Sequence, residues 1–203
     1  LAQRMRGLRF AVEGHPDIAL TVEGSRPGDA LADIMFNILI AACLRDIAQK
    51  LRGAGCLCEL GAPGDHAADE DLCDVTFMDD VAYFVADPTC AGLMMKLPVS
   101  CGIIFQTFAD YGLQINTLPG KSNIMCCLKG PGAPAWRSLI SRDPQIQFEA
   151  GQHVTHKVAV CIQYKHLGSL MDHRARWGPE IGHRAQCAWQ AYRSLRSAVF
   201  RNQ

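Results

Sequence analysis

The chain has 203 residues, 49% of them apolar, and its 20 basic and 20 acidic side chains cancel to no formal net charge. This composition excludes a disordered chain, and the length suffices for one domain with a core, or for a domain with an appended helix. No apolar run reaches the roughly 18 residues of a membrane span, so no membrane is expected. The chain begins at Leu1 without a signal-peptide pattern, and we expect a fragment of an intracellular protein of the nucleus or cytoplasm.

The zero net charge hides a difference between two parts of the chain. Residues 1–136 contain 10 basic and 16 acidic residues, whereas residues 137–203 contain 10 basic and 4 acidic residues. An acidic body with a basic tail suits a protein that holds metal cations at one end and a phosphate backbone at the other. Chance segregation of charge on a soluble surface explains the same numbers equally well.

The first segments predict a hairpin followed by a long helix. Residues 10–22 alternate loosely around a turn at residues 14–17, which is typical of two short strands. After a loop over residues 24–29, Asp29 can cap a helix that runs from Ala30 to about Leu51 and ends at Gly53 and Gly55. The residues expected on its buried side are Leu31, Ile34, Ile38, Ala42 and Leu51.

The middle of the chain predicts a second hairpin and a second helix. Two short apolar runs, residues 72–78 and 81–86, are joined at Asp79 and Asp80, which is typical of a tight hairpin. Asp87 and Pro88 then favour a helix start. We expect this helix to continue to Tyr111, with Pro98 bending or interrupting it.

The remaining segments complete an α+β pattern. Strands are expected over residues 113–116 and 122–128, a Gly/Pro hinge over residues 130–134, and a strand pair between residues 145 and 170. A last helix is expected over residues 179–200, with arginines on its outer faces. Its apolar side is expected to dock on the body and consists of Ile181, Ala185, Ala188, Tyr192, Leu195 and Val199. This order predicts an α+β fold in which helices pack on one face of an antiparallel sheet.

The adjacent carboxylates of Asp79 and Asp80 are the most informative feature. A bare Asp-Asp pair usually marks a solvated turn, but here apolar strands flank it on both sides. Two carboxylates beside a buried sheet repel each other and lose hydration, and a bound divalent cation removes that cost. Magnesium prefers such oxygen ligands together with substrate phosphates. The segment therefore predicts a Mg²⁺ site, with Mn²⁺ as the alternative ion.

Four segments in register resemble the reverse transcriptases of non-LTR (LINE-type) retrotransposons, over roughly residues 20–171. Residues 75–85 (VTFMDDVAYFV) resemble the F/Y-x-D-D signature, and residues 24–37 (GSRPGDALADIMFN) resemble the family's Gly-rich loop and helix. Residues 112–116 (GLQIN) with Lys121 and Ser122 resemble a third motif, and residues 164–169 (YKHLGS) resemble the primer-grip turn. The last helix resembles the start of the thumb.

The resemblance implies an RNA-directed DNA polymerase palm over residues 1–171 and a thumb start over residues 172–203. It implies two-metal transfer of dNTPs onto a DNA primer paired with an RNA template. The implied roles are as follows: metal ligands Asp79 and Asp80; a triphosphate contact Lys121; nucleotide contacts Arg26, Gly28 and Asp29; a primer grip of His166, Leu167 and Gly168; and backbone contacts Arg193, Arg196 and Arg201.

One departure from the family decides what we expect of the isolated chain. The family's first catalytic Asp, on a strand upstream of the Gly-rich loop, is not recognisable, and the fingers are absent. Because two-metal catalysis needs carboxylates from two strands, we expect residues 1–203 alone to be inactive. The alternatives are a decayed polymerase-like domain that binds nucleic acid or a protein partner, and the palm of an RNA-directed RNA polymerase.

Other metal and nucleotide motifs are less favoured. The ten cysteines fit a reduced intracellular protein, and Cys56-x-Cys58 and Cys126-Cys127 are poor matches to zinc spacing. His153, His156, Cys161 and His166 form a possible second cluster, although strand histidines are more often surface residues. Gly120-Lys121-Ser122 is not a P-loop, because position 115 is Ile where that motif needs Gly.

Overall fold

A computed structural model describes residues 9–11, 18–20, 30–58, 74–77, 80–151, 154–166 and 168–199. The described part has an α+β fold, as the sequence predicts. Its helices are α1 (Ala30–Gly53), α2 (Cys90–Asp110), α3 (Ala133–Arg142) and α4 (Gly178–Val199). Its strands are β1 (Arg9–Ala11), β2 (Ile18–Leu20), β3 (Asp74–Phe77), β4 (Asp80–Tyr83), β5 (Asn123–Met125), β6 (Gln145–Ala150), β7 (Val154–Cys161), β8 (Gln163–His166) and β9 (Ser169–Asp172).

The strands form several small sheets. Three are antiparallel hairpins, β1–β2, β3–β4 and β8–β9, and the fourth has the order β5–β7–β6. In that sheet β6 and β7 are antiparallel, whereas β5 runs parallel to β7 with Met125 opposite Cys161. Among the described strands, the expected single antiparallel sheet is therefore replaced by separate hairpins and one mixed sheet.

Helix α1 extends close to its expected bounds, but it buries a different face. Its core residues are Ile40, Cys43, Ile47 and Leu51, spaced by three and four residues. Ile34 and Ile38, expected on the buried side, are 56% and 67% exposed. The apolar run that begins at Ile34 offers apolar groups in every direction, so neighbouring elements decide which face is covered.

Helix α2 is the centre of the core. Its N-cap is Thr89, whose side-chain oxygen accepts a hydrogen bond from the Gly92 N–H at 3.0 Å, and the Asp87 carboxylate accepts from the Thr89 N–H at 2.8 Å. The helix continues through Pro98 and packs against α1 on one side and β6 on the other. A Cβ placed on Gly102 would lie 2.7 Å from the backbone oxygen of Glu149, so this contact requires glycine.

By length and mean hydropathy alone, α2 could cross a membrane. The core helix of a protein without any membrane segment meets the same criterion. In the described structure, α2 contacts α1 and β6, and 17% of its apolar window is buried.

Two segments differ from their sequence-based predictions. Residues 113–117 form no strand, and the strand expected over residues 122–128 is limited to Asn123–Met125. The expected Gly/Pro hinge leads directly into α3, which the sequence did not predict. Gly132 at the N-cap has a φ of 79°, and a proline in the first helical turn needs no N–H partner, so this Gly/Pro segment starts a helix.

Helix α4 begins and ends within one residue of its predicted bounds. Its apolar side is not covered by other parts of the chain that the structure describes. Ile181, Tyr192 and Leu195 are 65%, 43% and 54% exposed. The helix contacts β9 near its start. The expectation that this side docks on the body is therefore wrong at these three positions.

Candidate functional site

The β3–β4 hairpin carries the predicted acidic pair. Phe77 pairs with Asp80, so two residues, Met78 and Asp79, connect the strands, and both lie outside the described residues. Asp80 is the first residue of β4 and is exposed, which agrees with the predicted hairpin. The flanking residues expected to be buried are Phe77 and Val81. Val81 is half-buried, and the side chain of Phe77 lies outside the described residues.

Asp80 lies close enough to Tyr164 on β8 to affect its ionisation. Burial raises the pKa of Tyr164, and the negative charge of Asp80 raises it further. The Tyr164 hydroxyl also donates a hydrogen bond to the backbone oxygen of Lys121 at 2.9 Å. The Tyr164 and Lys121 segments, which are far apart in the sequence, are therefore in direct contact, and the charge of Asp80 acts on Tyr164.

Asn116 organises the loop that leads to Lys121. Its side-chain oxygen accepts a hydrogen bond from the Leu118 N–H at 3.0 Å, and its backbone oxygen accepts from the Ser122 N–H at 3.1 Å. The Lys121 N–H donates to the backbone oxygen of Leu118 at 3.0 Å. These bonds close the loop on itself and fix the Lys121 carbonyl opposite Tyr164. The Lys121 side chain is exposed and makes no ion pair within the described residues.

The β8–β9 hairpin is the predicted primer-grip turn. His166 pairs with Ser169, and Gly168 has a φ of 82°, a conformation that favours glycine. The ring of His166 stacks on Tyr164 with centroids 6.3 Å apart. Two of the three predicted primer-grip residues thus lie at one tip, while Leu167 is outside the described residues.

The start of α4 holds this turn in place. Glu180 accepts a hydrogen bond from the Leu170 N–H at 2.6 Å, and Arg184 donates to Glu180 at 2.7 Å. Arg184 also contacts the Gly168 backbone oxygen at 3.4 Å and the Ser169 hydroxyl at 3.3 Å. The Arg184 guanidinium helps to hold the pKa of Glu180 below its usual range, so Glu180 stays ionised at neutral pH.

The sequence did not predict this role for Glu180 and Arg184. Arg184 was expected to be one of several charged residues on the solvated faces of the helix. The available signal was the i, i+4 spacing of an acidic and a basic residue in the first turns of a helix. That spacing indicates their ion pair but does not indicate the turn that the pair contacts.

Further along α4, an exposed patch combines basic and aromatic side chains. The Arg193 guanidinium lies 5.5 Å from the centre of the Trp189 ring, and Trp189 stacks on Tyr192 with centroids 5.4 Å apart. Arg193 and Arg196 are exposed and form no ion pair among the described residues. Exposed cations beside flat aromatic rings are suited to contact phosphates and bases.

Several predicted site residues lie outside the described residues, namely Arg26, Gly28, Asp29, Asp79, Leu167 and Arg201. Within the described part of the chain, no group of three or more His, Cys, Asp or Glu side chains could hold a metal ion. His156 instead stacks on Phe148 at 5.7 Å, as a strand residue packed on the core. At the β3–β4 tip, Asp80 has an exposed carboxylate, and carboxylate oxygens are the ligand type that Mg²⁺ prefers.

Comparison with protein-family models, with curated proteins and with solved structures finds no match for this chain.

Proposed function

We propose that the chain is part of an RNA-directed DNA polymerase of the LINE-type class, comprising most of a palm and the start of a thumb. One observation carries the proposal: the Tyr164 hydroxyl contacts the Lys121 backbone oxygen although 43 residues separate them in the chain. The charge of Asp80, on a third family-like segment, adds to the raised pKa of Tyr164. The resemblance assigns these three segments to one catalytic centre.

The chemistry of this centre follows from its charges. Asp79 and Asp80 would hold Mg²⁺, or Mn²⁺, which neutralises charge on the attacking and leaving oxygens of a phosphoryl transfer. Lys121 supplies a cation for the triphosphate of the dNTP. His166, Leu167 and Gly168 hold the primer end, while Arg26, Gly28 and Asp29 contact the incoming nucleotide. Arg193, Arg196 and Arg201 meet the backbone of the RNA template and DNA primer.

The cation site is tested by Mn²⁺ binding, measured by electron paramagnetic resonance. We expect one weakly bound Mn²⁺, displaced by excess Mg²⁺ and lost in the Asp79→Asn/Asp80→Asn variant. The matched control is Asp74→Asn, which changes a carboxylate at the opposite end of the same hairpin. If the parent, the double variant and the control bind Mn²⁺ equally, the metal site does not lie at the hairpin tip.

The interface on α4 is tested by fluorescence anisotropy with a labelled RNA–DNA hybrid at two salt concentrations. Because phosphate contacts release counterions, affinity should fall steeply as salt rises. The Arg193→Ala/Arg196→Ala/Arg201→Ala variant should bind more weakly and with a smaller salt dependence. If the variant binds as tightly as the parent, these arginines form only a solvated helix face and do not contact nucleic acid.

Catalysis itself should be absent from residues 1–203. Primer extension with poly(rA)/oligo(dT), dTTP and Mg²⁺ should give no product, because the strand with the family's first catalytic Asp is not recognisable in the sequence. Robust incorporation that Asp79→Ala abolishes would identify another carboxylate as the missing ligand. Hybrid binding without any Mn²⁺ site would instead favour the decayed, non-catalytic domain.

A further inference from the structure

A cleft of about 380 Å³ lies beside α3 and the ends of β5 and β7. Its lining comes from residues 126–129 after β5, from one face of α3, from the end of β7 and from the turn after β9. None of the lining residues belongs to β3, β4 or β8, which carry the proposed catalytic centre. The volume is within the ~300–1,000 Å³ range of small-molecule sites.

The polar part of this lining is cationic. Lys129, Arg137 and Arg174 line the cleft, and no Asp or Glu does. Among the described residues none of the three forms an ion pair with a carboxylate. Arg137 donates one hydrogen bond to the Leu128 backbone oxygen at 2.6 Å, which fixes its guanidinium at the cleft. Three cations that face one concave surface without a counter-charge attract an anion.

Two contacts also fix Arg174. Its Nε donates to Nε2 of His173 at 3.3 Å, and its backbone N–H donates to the Asp172 carboxylate at 2.9 Å. The His173 Nδ1 lies 3.1 Å from the Ile162 backbone oxygen, which accepts the ring proton in the tautomer that these contacts require. The terminal nitrogens of Arg174 are left available for a ligand.

The floor of the cleft is apolar and uncharged. Leu128, Ile140, Val160 and Ile162 contribute aliphatic surface. Burial, together with the neighbouring thiols of Cys161 and Cys127, raises the pKa of the Cys126 thiol to about 11. Cys126 is therefore protonated at pH 7 and adds no negative charge. The cleft therefore suits a ligand that has both an anionic group, which contacts the three cations, and a flat, weakly polar group, which contacts the aliphatic side chains.

We propose that this cleft binds a nucleoside monophosphate unit, with its phosphate on Lys129, Arg137 and Arg174 and its base on the aliphatic floor. Three cations that line one cleft suit a phosphate dianion better than a single carboxylate, and Arg nitrogens match phosphate oxygens in pairs. The unit is either a free nucleotide or the 5′-phosphorylated end of a strand. Neither source requires a metal ion, which separates this site from the proposed polymerase centre.

The test is isothermal titration calorimetry of residues 1–203 in EDTA, with adenosine monophosphate, adenosine, and a tetranucleotide with or without a 5′-phosphate. Measurements without divalent cations keep the result independent of the polymerase proposal. We expect binding of the phosphorylated ligands and at least tenfold weaker binding of adenosine and of the 5′-hydroxyl strand. Tighter binding of the mononucleotide or of the strand identifies which source the cleft prefers.

The decisive variant is Lys129→Gln/Arg174→Gln, which should weaken binding of the phosphorylated ligands at least tenfold. The matched control is Arg142→Gln, an exposed arginine on α3 outside the lining, which should change affinity less than twofold. Lys129→Gln alone removes no side-chain contact in the described residues, so it keeps the test valid if the double variant unfolds. Absence of binding, or equal loss in the control, would overturn the proposal.

Discussion

Helices α2 and α4 have nearly the same length, 21 and 22 residues, and both carry apolar side chains at helical spacing. In α2 these side chains join the core: Ile103, Ile104 and Phe108 pack against α1, and Phe105 packs against Phe148 of β6 at 4.7 Å. In α4 the corresponding side is exposed. Periodicity therefore predicts which side of a helix is apolar, while the neighbouring elements determine whether that side is buried.

The two helices also differ in what attaches them to the rest of the protein. Apolar contacts along the length of α2 hold it against α1 and β6. At α4 the attachment is polar and confined to the first turns, where Glu180 and Arg184 hold the β8–β9 turn. The turn before α4 adds Ala175 at a φ of 54°, which is unusual for a residue other than glycine. Three stability measurements make this difference quantitative.

The largest effect is expected from removing buried side-chain volume. Ile47 on α1, packed against α2, is fully buried, and Ile47→Ala should lower the free energy of unfolding by about 2–5 kcal/mol. Leu195→Ala on α4 removes a side chain that is 54% exposed and should change it by less than about 0.5 kcal/mol. Urea denaturation of both variants checks the comparison. A loss above 2 kcal/mol for Leu195→Ala would mean that its side is covered in solution.

A smaller effect, of opposite sign in the two helices, is expected for glycine. Gly102→Ala places a Cβ 2.7 Å from the Glu149 backbone oxygen and should destabilise by about 1–3 kcal/mol. Gly182→Ala, in a helix position with nothing within 4 Å of the new Cβ, should stabilise by about 0.5–1 kcal/mol. Thermal melts of the two variants give both signs in one experiment. Stabilisation by Gly102→Ala would contradict the close α2–β6 approach.

The sequence predicted local features of the fold well. The bounds of α1, α2 and α4 follow from nearby caps, glycines and prolines, and the β3–β4 hairpin follows from two short apolar runs around an acidic pair. Helix α3 was missed because Gly130, Pro131 and Gly132 are typical of a hinge, although the same residues start a helix. The parallel pairing of β5 with β7 joins segments about 35 residues apart, and no local pattern indicates such pairing.

In the candidate site, too, the sequence predicted local features but not the contacts between distant segments. The acidic tip and the glycine turn of the β8–β9 hairpin are local patterns, and the sequence indicated both. The contact of Tyr164 with Lys121 and the contact of Arg184 with Gly168 depend on how separate elements pack. The cationic cleft collects residues from four segments between 126 and 174, and none of these segments has a recognisable motif by itself.

The smallest of the three stability effects concerns the polar contacts of the turn between β9 and α4. The Asp172 side chain is 1% exposed and accepts two hydrogen bonds from Arg176, at 3.1 and 3.0 Å. These bonds, with one from the Arg174 N–H, hold the pKa of Asp172 well below its usual value of 3.8. Because the carboxylate is ionised more readily in the folded state, its contribution to stability is complete above about pH 4. It is lost progressively as the pH falls through the lower folded pKa. The contribution is modest, since the Arg176 side chain is 57% exposed and solvent screens the pair.

Asp172→Asn should therefore lower the melting temperature at pH 6, and the difference from the parent should shrink as the pH falls from 4 to 2. The matched control is Asp143→Asn, which changes an exposed carboxylate without a side-chain partner in the described residues. It should show a much smaller difference at pH 6. Hydrogen exchange locates the effect, because weakening these contacts should speed exchange in α4 more than in α2. A pH-independent difference, or faster exchange spread equally over both helices, would show that Asp172 supports the whole core rather than the start of α4.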